Sequence, residues 1–335
     1  MNDTAFDFSA IGFLVLDTLC RTADEMPPKG GATFVEQIRM TPSGTAGGTA
    51  MICGHFGLNG QLVTEVGQDD AGDFLVSKLQ TTYGIATDLI FRNTTGVQTS
   101  CSVLPIGSSG ERAAFFCPGT AATFYIPPNR IDAALHAKII HFGGTGLLTK
   151  MDGQPSLDLL KRAKEQQKIT VFDLILANSD SVKLVDPLFP YIDYFVPSIE
   201  EAAALTNGVF EMDSRDAPNI ARYFKAKGAK NVILTLDKDG VYVDPEEGEA
   251  FIQPAHDIQV VDSTGCGDSF TAGIIVGITK GYDLQKTVRF ANAVAAQVAM
   301  GLGSDGSGIL TSSIDDTLKF MQSTPIRTKS KKERE

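Results

Sequence analysis

Val261-Asp262-Ser263-Thr264-Gly265-Cys266-Gly267-Asp268-Ser269-Phe270 is the stretch whose reading decides the fold. The β-favouring segment Ile258 to Val261 ends just before Asp262, and Phe270, Ile274, Ile275 and Ile278 follow at helical spacing. The stretch is therefore expected at a strand-to-helix turn. Its two glycines let the backbone turn tightly and come close to a ligand. The first turn of the helix offers unpaired N–H groups and the positive end of its dipole to an anion. Asp268, in that turn, can act on whatever is held there. An anion cradle with a base attached is what phosphoryl transfer needs. An ordinary tight turn with a helix-start carboxylate has the same local pattern, so the rest of the chain has to decide.

The chain has 335 residues, enough for one large domain or two small ones. A hydrophobic content of 43% suits a globular protein with a large core. A formal charge of −11 argues against non-specific nucleic-acid binding. The cysteines at 20, 53, 101, 117 and 266 are scattered without a C-x-x-C pair. That suggests a reducing compartment, the cytoplasm, rather than a disulfide or zinc framework. Met1–Asp7 lacks the basic flank of a signal peptide. No apolar run reaches the about 18 residues of a membrane span.

Outward from the opening stretch, apolar runs alternate with helical patterns. Phe8–Leu16 reads as a strand ending at Asp17. Strand patterns at Gln61–Val66, Ile139–Phe142, Thr170–Leu174, Tyr194–Val196 and Val232–Leu236 are interleaved with helical patterns at 71–83, 153–167, 179–186, 199–206 and 217–227. The alternation predicts an α/β fold, a doubly wound, mainly parallel central sheet flanked by helices. Thr45–Phe56 and Asp283–Met300 read as helices lined with small residues. Gly44, Gly47 and Gly48 suggest close approach of something to the first of these, since glycine there is costly.

Segments 18–41 and 97–117 are extended and partly polar, and read as insertions that form a small β-sheet lid. A lid excludes water from a site. One domain is expected over 1–325, with a charged, frayed tail at 326–335. In open α/β sheets the site lies outside the carboxyl ends of the strands, where Asp17, Gly143-Gly144, Asp173 and the 262–268 turn are expected to fall. Other motifs fail. There is no G-x-x-x-x-G-K-[ST], and Gly301–Gly306 matches G-x-G-x-x-G only after a helix, the wrong context for a dinucleotide site. The histidines at 55, 136, 141 and 256 show no metal spacing.

Several pieces now align. Asp262-Ser263-Thr264-Gly265-Cys266-Gly267-Asp268 resembles the D-T-x-G-A-G-D signature of ribokinase-like (PfkB) carbohydrate kinases. Ser43-Gly44-Thr45-Ala46-Gly47-Gly48-Thr49-Ala50, then Phe56-Gly57 and Val66-Gly67-Gln68-Asp69-Asp70-Ala71-Gly72, is similar to the family's G-G-x-x-x-N…L-G…V-G-x-D-x-x-G. Asp17 matches the aspartate that usually holds sugar hydroxyls. The resemblance covers nearly the whole chain in the right order. There are departures: Ser43 replaces the first glycine, Gly48 the asparagine that normally touches the sugar, Ser198 the asparagine of N-x-x-E, Asp237 the glycine of T-x-G, and Cys266 an alanine.

The resemblance implies an ATP-dependent sugar kinase. Asp268 would be the base, and the amides of Gly265, Cys266 and Gly267 the anion hole. It implies acceptor contacts from Asp17, Gly44, Gly48 and Asp173, with Thr99 and Arg112 reaching in from the lid. ATP would lie near Thr235, Asp237, Gly240, Thr264, Gly265, Gly267 and Asn292. Glu201 would organise Mg2+ through water, and Asp262 and Ser304 are candidates for a monovalent cation such as K+. The implied partner is a small sugar, with no nucleic acid and no membrane, in a homodimer formed through the lid. A nucleoside acceptor, with Phe13, Phe115, Phe116 and Phe142 around its base, is the alternative within the family. A non-catalytic sugar-binding regulator is the alternative outside it.

Overall fold

A computed structural model describes residues 5–108, 112–175 and 179–328. The chain runs through β1 (Phe6–Gly12), β2 (Val15–Arg21), β3 (Gln37–Ser43), β4 (Gly60–Val66), β5 (Ile90–Arg92), β6 (Cys101–Ile106) and β7 (Phe115–Cys117). It continues through β8 (Ala137–Thr145), β9 (Ile169–Leu174), β10 (Tyr194–Phe195), β11 (Asn231–Thr235), β12 (Val241–Asp244) and β13 (Phe251–Gln253). The central sheet has the order β13-β12-β11-β10-β9-β8-β1-β4-β5. Its strands pair in parallel except for β12 and β13, which close one edge as an antiparallel hairpin.

Both faces of this sheet are buried, which is why its strands read as continuous apolar runs. Side chains alternate between the faces. Along β8, Ile139 joins one core cluster and Ile140 the other; along β9 the same holds for Val171 and Phe172. The predicted doubly wound α/β architecture is the observed one.

The first apolar run departs from expectation. It is two strands in two sheets, not one strand ending at Asp17. At Gly12 the backbone has φ +134°, and a Cβ there would lie 1.9 Å from the Gly143 carbonyl oxygen, so the chain turns where only glycine fits. Beyond it β2 carries Asp17 into a second sheet of order β3-β2-β6-β7, the lid. Residues 109–111 of the expected lid insertion lie outside the described residues. A second correction concerns Ile258–Val261, which forms no strand. The backbone N–H groups of Val261 and Asp262 both donate to the Ala299 carbonyl, so this segment leads to the turn as a loop held by a helix end.

The strand order reverses at β1, which has β4 on one side and β8 on the other. At the carboxyl ends Gly12 stands beside Gly143, and Gly143 beside Asp173. The crevice there is the expected place for a ligand. The helix Cys266–Thr279 starts beside it and is buried continuously from Ser269 to Gly277. It packs on the helices Thr45–His55 and Leu284–Ala299. A Cβ on Gly273 would sit 2.4 Å from the Ala291 Cα, so close helix approach explains that small residue.

The loop 301–306 is tied to the lid strand β3 and to the helix Asp70–Tyr83 by the fully buried Asp305. Its Oδ1 accepts from Thr41 Oγ1 at 2.6 Å and pairs with Arg39 at 2.7 Å; its Oδ2 accepts from Lys78 Nζ and Tyr83 Oη, both at 2.9 Å. At the other end, Ile326 bridges to His256 and the Arg327 N–H donates to the Ala255 carbonyl. The start of the segment expected to fray is therefore held, while 329–335 lie outside the described residues. Among the described residues no helix is long and apolar enough to cross a membrane.

Burial acts to raise the Asp305 pKa, but the hydrogen bonds from Thr41 and Lys78 and the charges of Arg39 and Lys78 outweigh it and hold the carboxyl below its ordinary value. Its stabilising contribution is complete above the unfolded aspartate value of about 3.9 and is lost as pH falls through the lower folded value. Asp305→Ala leaves two cations without their shared partner and should cost about 3 kcal/mol, read as a lower urea midpoint at pH 7.

Candidate active site

The turn 262–268 is built around one carboxylate. Asp262 is 1% exposed. Its Oδ1 accepts from the Thr264 N–H at 2.9 Å and the Thr264 hydroxyl at 2.7 Å, and its Oδ2 from the Gly303 N–H at 2.9 Å. Gly265 then caps the helix with φ +76°, and a Cβ there would lie 2.2 Å from Ser304 Oγ. The Cys266 N–H turns back to the Ser263 carbonyl at 3.2 Å. Among the described residues the N–H groups of Gly265, Gly267 and Asp268 have no such acceptor. The open amides are therefore those of Gly265 and Gly267, joined by Asp268; Cys266 drops out of the anticipated set. Burial also pushes the Cys266 thiol up to about 12, so it stays protonated.

Asp268 lies on the wall of a cavity of about 480 Å³ between the central sheet and the lid. Its carboxyl is pushed up to about 8, first by burial and then by the charges of Asp173, Asp17 and Glu201, with Arg112 opposing. The backbone carbonyl of Asp268 accepts from Thr49 Oγ1 at 3.1 Å, which ties the two helix starts together. Gly48 has a different place from the acceptor contact anticipated for it. It does not line the cavity; a Cβ on it would lie 2.8 Å from Asp268 Oδ2, so its missing side chain makes room for the Asp268 carboxyl.

The cavity brings Asp17, Gly44, Asp173, Arg112, Glu201, Thr235, Thr264, Gly265, Gly267 and Asp268 together. Asp17 is 5% exposed and accepts from Ser102 Oγ. Burial raises its pKa, while Ser102, Ser43 and Arg112 act against that. Arg112 reaches from the lid to donate from Nη1 to Thr264 Oγ1 at 2.8 Å, beside the open amides. Ser198 and Glu201 form a capping box at a helix start, and Glu201 is raised to about 7, chiefly by burial. Ser43, Ser102 and Thr45 also belong to this site and had no assigned role. Thr45 lies inside the N-terminal signature; nothing local in the sequence marks Ser102, which faces Asp17 only through strand pairing.

Other anticipated residues lie elsewhere. The Thr99 hydroxyl donates to Asp69 Oδ1 at 2.5 Å and accepts from the Gly67 N–H, so it braces a helix cap outside the cavity. Asn292 donates to the Pro254 carbonyl at 2.8 Å. Asp237 is exposed at φ +49°, and Gly240 packs against the Gln253 carbonyl. For a monovalent cation the fit is poor. Both Asp262 oxygens are taken by the turn, and Ser304 Oγ lies 3.2 Å from Ser43 Oγ. No step is assigned to such an ion. For Mg2+ the donors are hard oxygens, but no group of three or more acidic, His or Cys side chains gathers to hold a metal among the described residues. Such an ion fits only if phosphate and water supply most of its ligands, with Glu201 organising the water.

The profile of the pfkB family carbohydrate kinases matches residues 12–308. A 5-dehydro-2-deoxygluconokinase of Geobacillus kaustophilus is 25% identical over 302 residues, 87% of each chain. An ATP-dependent 6-phosphofructokinase of Thermoanaerobacterium thermosaccharolyticum is 25% identical over 303 residues, 88% of each chain. A solved putative ribokinase II from E. coli, in complex with ATP and Mg2+, shares the fold with a TM-score of 0.74 at 18% identity, over 95% of this chain and 99% of that one. The signatures at 43–50 and 262–268, the lid and the matched span converge: the chain belongs to the pfkB family of carbohydrate kinases.

Proposed function

We propose that the protein transfers the γ-phosphoryl group of ATP to a hydroxyl of a small sugar, with Asp268 as general base. The observation that carries this reading is the placement of Asp268 in the first turn of a helix whose start leaves the Gly265 and Gly267 amides open, on the wall of a lidded cavity. Asp268 takes the proton of the acceptor hydroxyl as that oxygen attacks the γ-phosphorus, and ADP leaves. The amides of Gly265 and Gly267 hold the charge on the transferring group. Arg112, anchored on Thr264, adds its positive charge at the same end. Mg2+, organised by Glu201 through water, supplies charge neutralisation on the phosphates when bound. Asp17 orients the acceptor. A nucleoside is the second reading, favoured by Phe13 and Phe116, whose rings meet edge-on at 5.9 Å on the cavity wall.

The lid also supports a dimer. Its outer face exposes Ile38, Met40, Val103 and Phe115, more apolar surface than a small sheet usually leaves to water. A second copy placed lid to lid would cover it. Sedimentation should show a dimer at micromolar concentration and a monomer for Phe115→Asp; a monomeric parent protein sinks this assignment.

Asp268→Ala should lower kcat by about 10²–10⁴-fold while leaving acceptor binding within a few-fold. Unchanged turnover removes Asp268 as the base. The base must be deprotonated to work, so kcat/KM should rise with pH along a limb near 8 in the free enzyme, set by the carboxylate cluster as a unit. Asp173→Asn removes the largest like charge acting on Asp268 and should move that limb to lower pH; a limb that stays in place contradicts the assignment.

A further inference from the structure

We propose that the lid arginines Arg21 and Arg39 brace the 262–268 turn from behind with their guanidinium groups, in the region anticipated for a monovalent cation, and that turnover needs no such ion. The bracing stands on the geometry alone; its consequence for turnover rests on the kinase reading above. Neither arginine lines the cavity, so both are positioning residues.

Asp262 is flanked by two peptide groups that the lid holds. The 302–303 peptide gives its N–H to Asp262 Oδ2 at 2.9 Å. Its carbonyl, which points the other way in a trans peptide, accepts from Arg39 Nη1 at 3.0 Å. The 261–262 peptide gives its N–H to the Ala299 carbonyl at 3.3 Å, and its carbonyl accepts from Arg21 Nη1 at 2.7 Å. Arg39 Nη2 also donates to the Asp305 carbonyl at 2.7 Å, so one planar fork spans two carbonyls of the 301–306 loop. Hydrogen bonds from an ionised donor are about twice as strong as neutral ones, and each polarises the peptide that makes the next bond. The next bonds run from Asp262 to the Thr264 N–H and hydroxyl, beside the open Gly265 amide.

The oxygens that a monovalent cation would need are engaged. The carbonyls of Val261, Leu302 and Asp305 accept from arginines, and those of Ser263 and Gly303 from the Cys266 and Gly306 N–H groups. Both Asp262 oxygens belong to the turn. Charge is answered as well. The buried carboxylates here are Asp262 and Asp305, and Arg21, Arg39 and Lys78 bond to the same segments or to Asp305 itself. A further cation would enter against fixed positive charges that the chain tethers in place. Unlike a diffusible ion, a guanidinium on a strand moves with the lid. β2 carries Asp17 to the cavity and Arg21 to the turn, so docking of the lid and bracing of the turn are one event.

The test uses the full chain in chlorides of Na+, K+, Cs+ and tetramethylammonium at equal ionic strength. ADP release is measured with ATP, Mg2+ and a panel of ribose, fructose, glucose and adenosine, and hydrogen exchange is followed in the segments 261–268 and 299–306. The parent protein should keep kcat within about 2-fold and its thermal midpoint unchanged across the four salts. Activation by K+ of about 10-fold or more, or a thermal midpoint raised by K+ alone, overturns the proposal. Arg39→Ala should lower kcat about 10-fold with the acceptor KM nearly unchanged, and millimolar guanidinium should restore part of the loss. Exchange should quicken in both segments while the strand Asn231–Thr235 keeps its protection. Arg21→Ala, whose lost bond goes to a carbonyl and leaves no carboxylate unpaired, carries the same expectations if Arg39→Ala fails to fold. Unchanged exchange in the folded variants overturns the bracing. A parent protein that releases no ADP from any acceptor, with exchange quickened in both variants, removes the kinase reading and leaves the bracing in place.

Discussion

The arrangement of this protein depends on how Asp262 is satisfied. A buried carboxylate needs donors, and Asp262 takes two from Thr264 and one from Gly303. Those bonds fold 262–265 into the turn that leaves the Gly265 and Gly267 amides open, and they pin the 301–306 loop against its back. Gly265 can meet Ser304 so closely only because it has no side chain. The helix that follows is buried over most of its length, so the turn sits on a rigid base. A preorganised set of amides works because the protein does not have to reorganise it during the reaction.

The same loop couples the turn to the lid. Arg39 and Thr41 of β3, and Lys78 and Tyr83 of a neighbouring helix, all meet Asp305. Ser43, at the end of β3, meets Ser304. On the other side Arg112 reaches down to Thr264. The lid therefore touches the 262–268 turn through Arg112 and the loop behind it through Ser43, while Asp17 in its first strand lines the cavity. Any movement of the lid is thereby joined mechanically to the 262–268 turn.

Electrostatics set the division of the cavity. Four carboxylates share it with one arginine, and burial adds to their mutual repulsion. The Asp268 carboxyl is consequently held above the ordinary aspartate range, which would suit the base role proposed for it.

Periodicity and two signatures were enough to read the α/β architecture, a helix following the 262–268 turn, and the family. Local chemistry settles those: apolar spacing marks buried elements, and glycines mark turns that need close approach. The sequence alone also pointed to Asp268 and Asp17, both of which line the cavity. It could not show that the first apolar run divides at Gly12 between two sheets, because an apolar strand looks the same whichever sheet it joins. Nor could it show that Gly48 makes room for Asp268, that Thr99 and Asn292 are occupied by backbone and cap bonds, or that the Cys266 amide turns inward. Those outcomes depend on partners distant in the chain. The orphaned oxygens of Thr45 and Asp173 are the clearest case. Their residue types were visible from the start, but only the tertiary structure buries these atoms and withholds any protein partner from them.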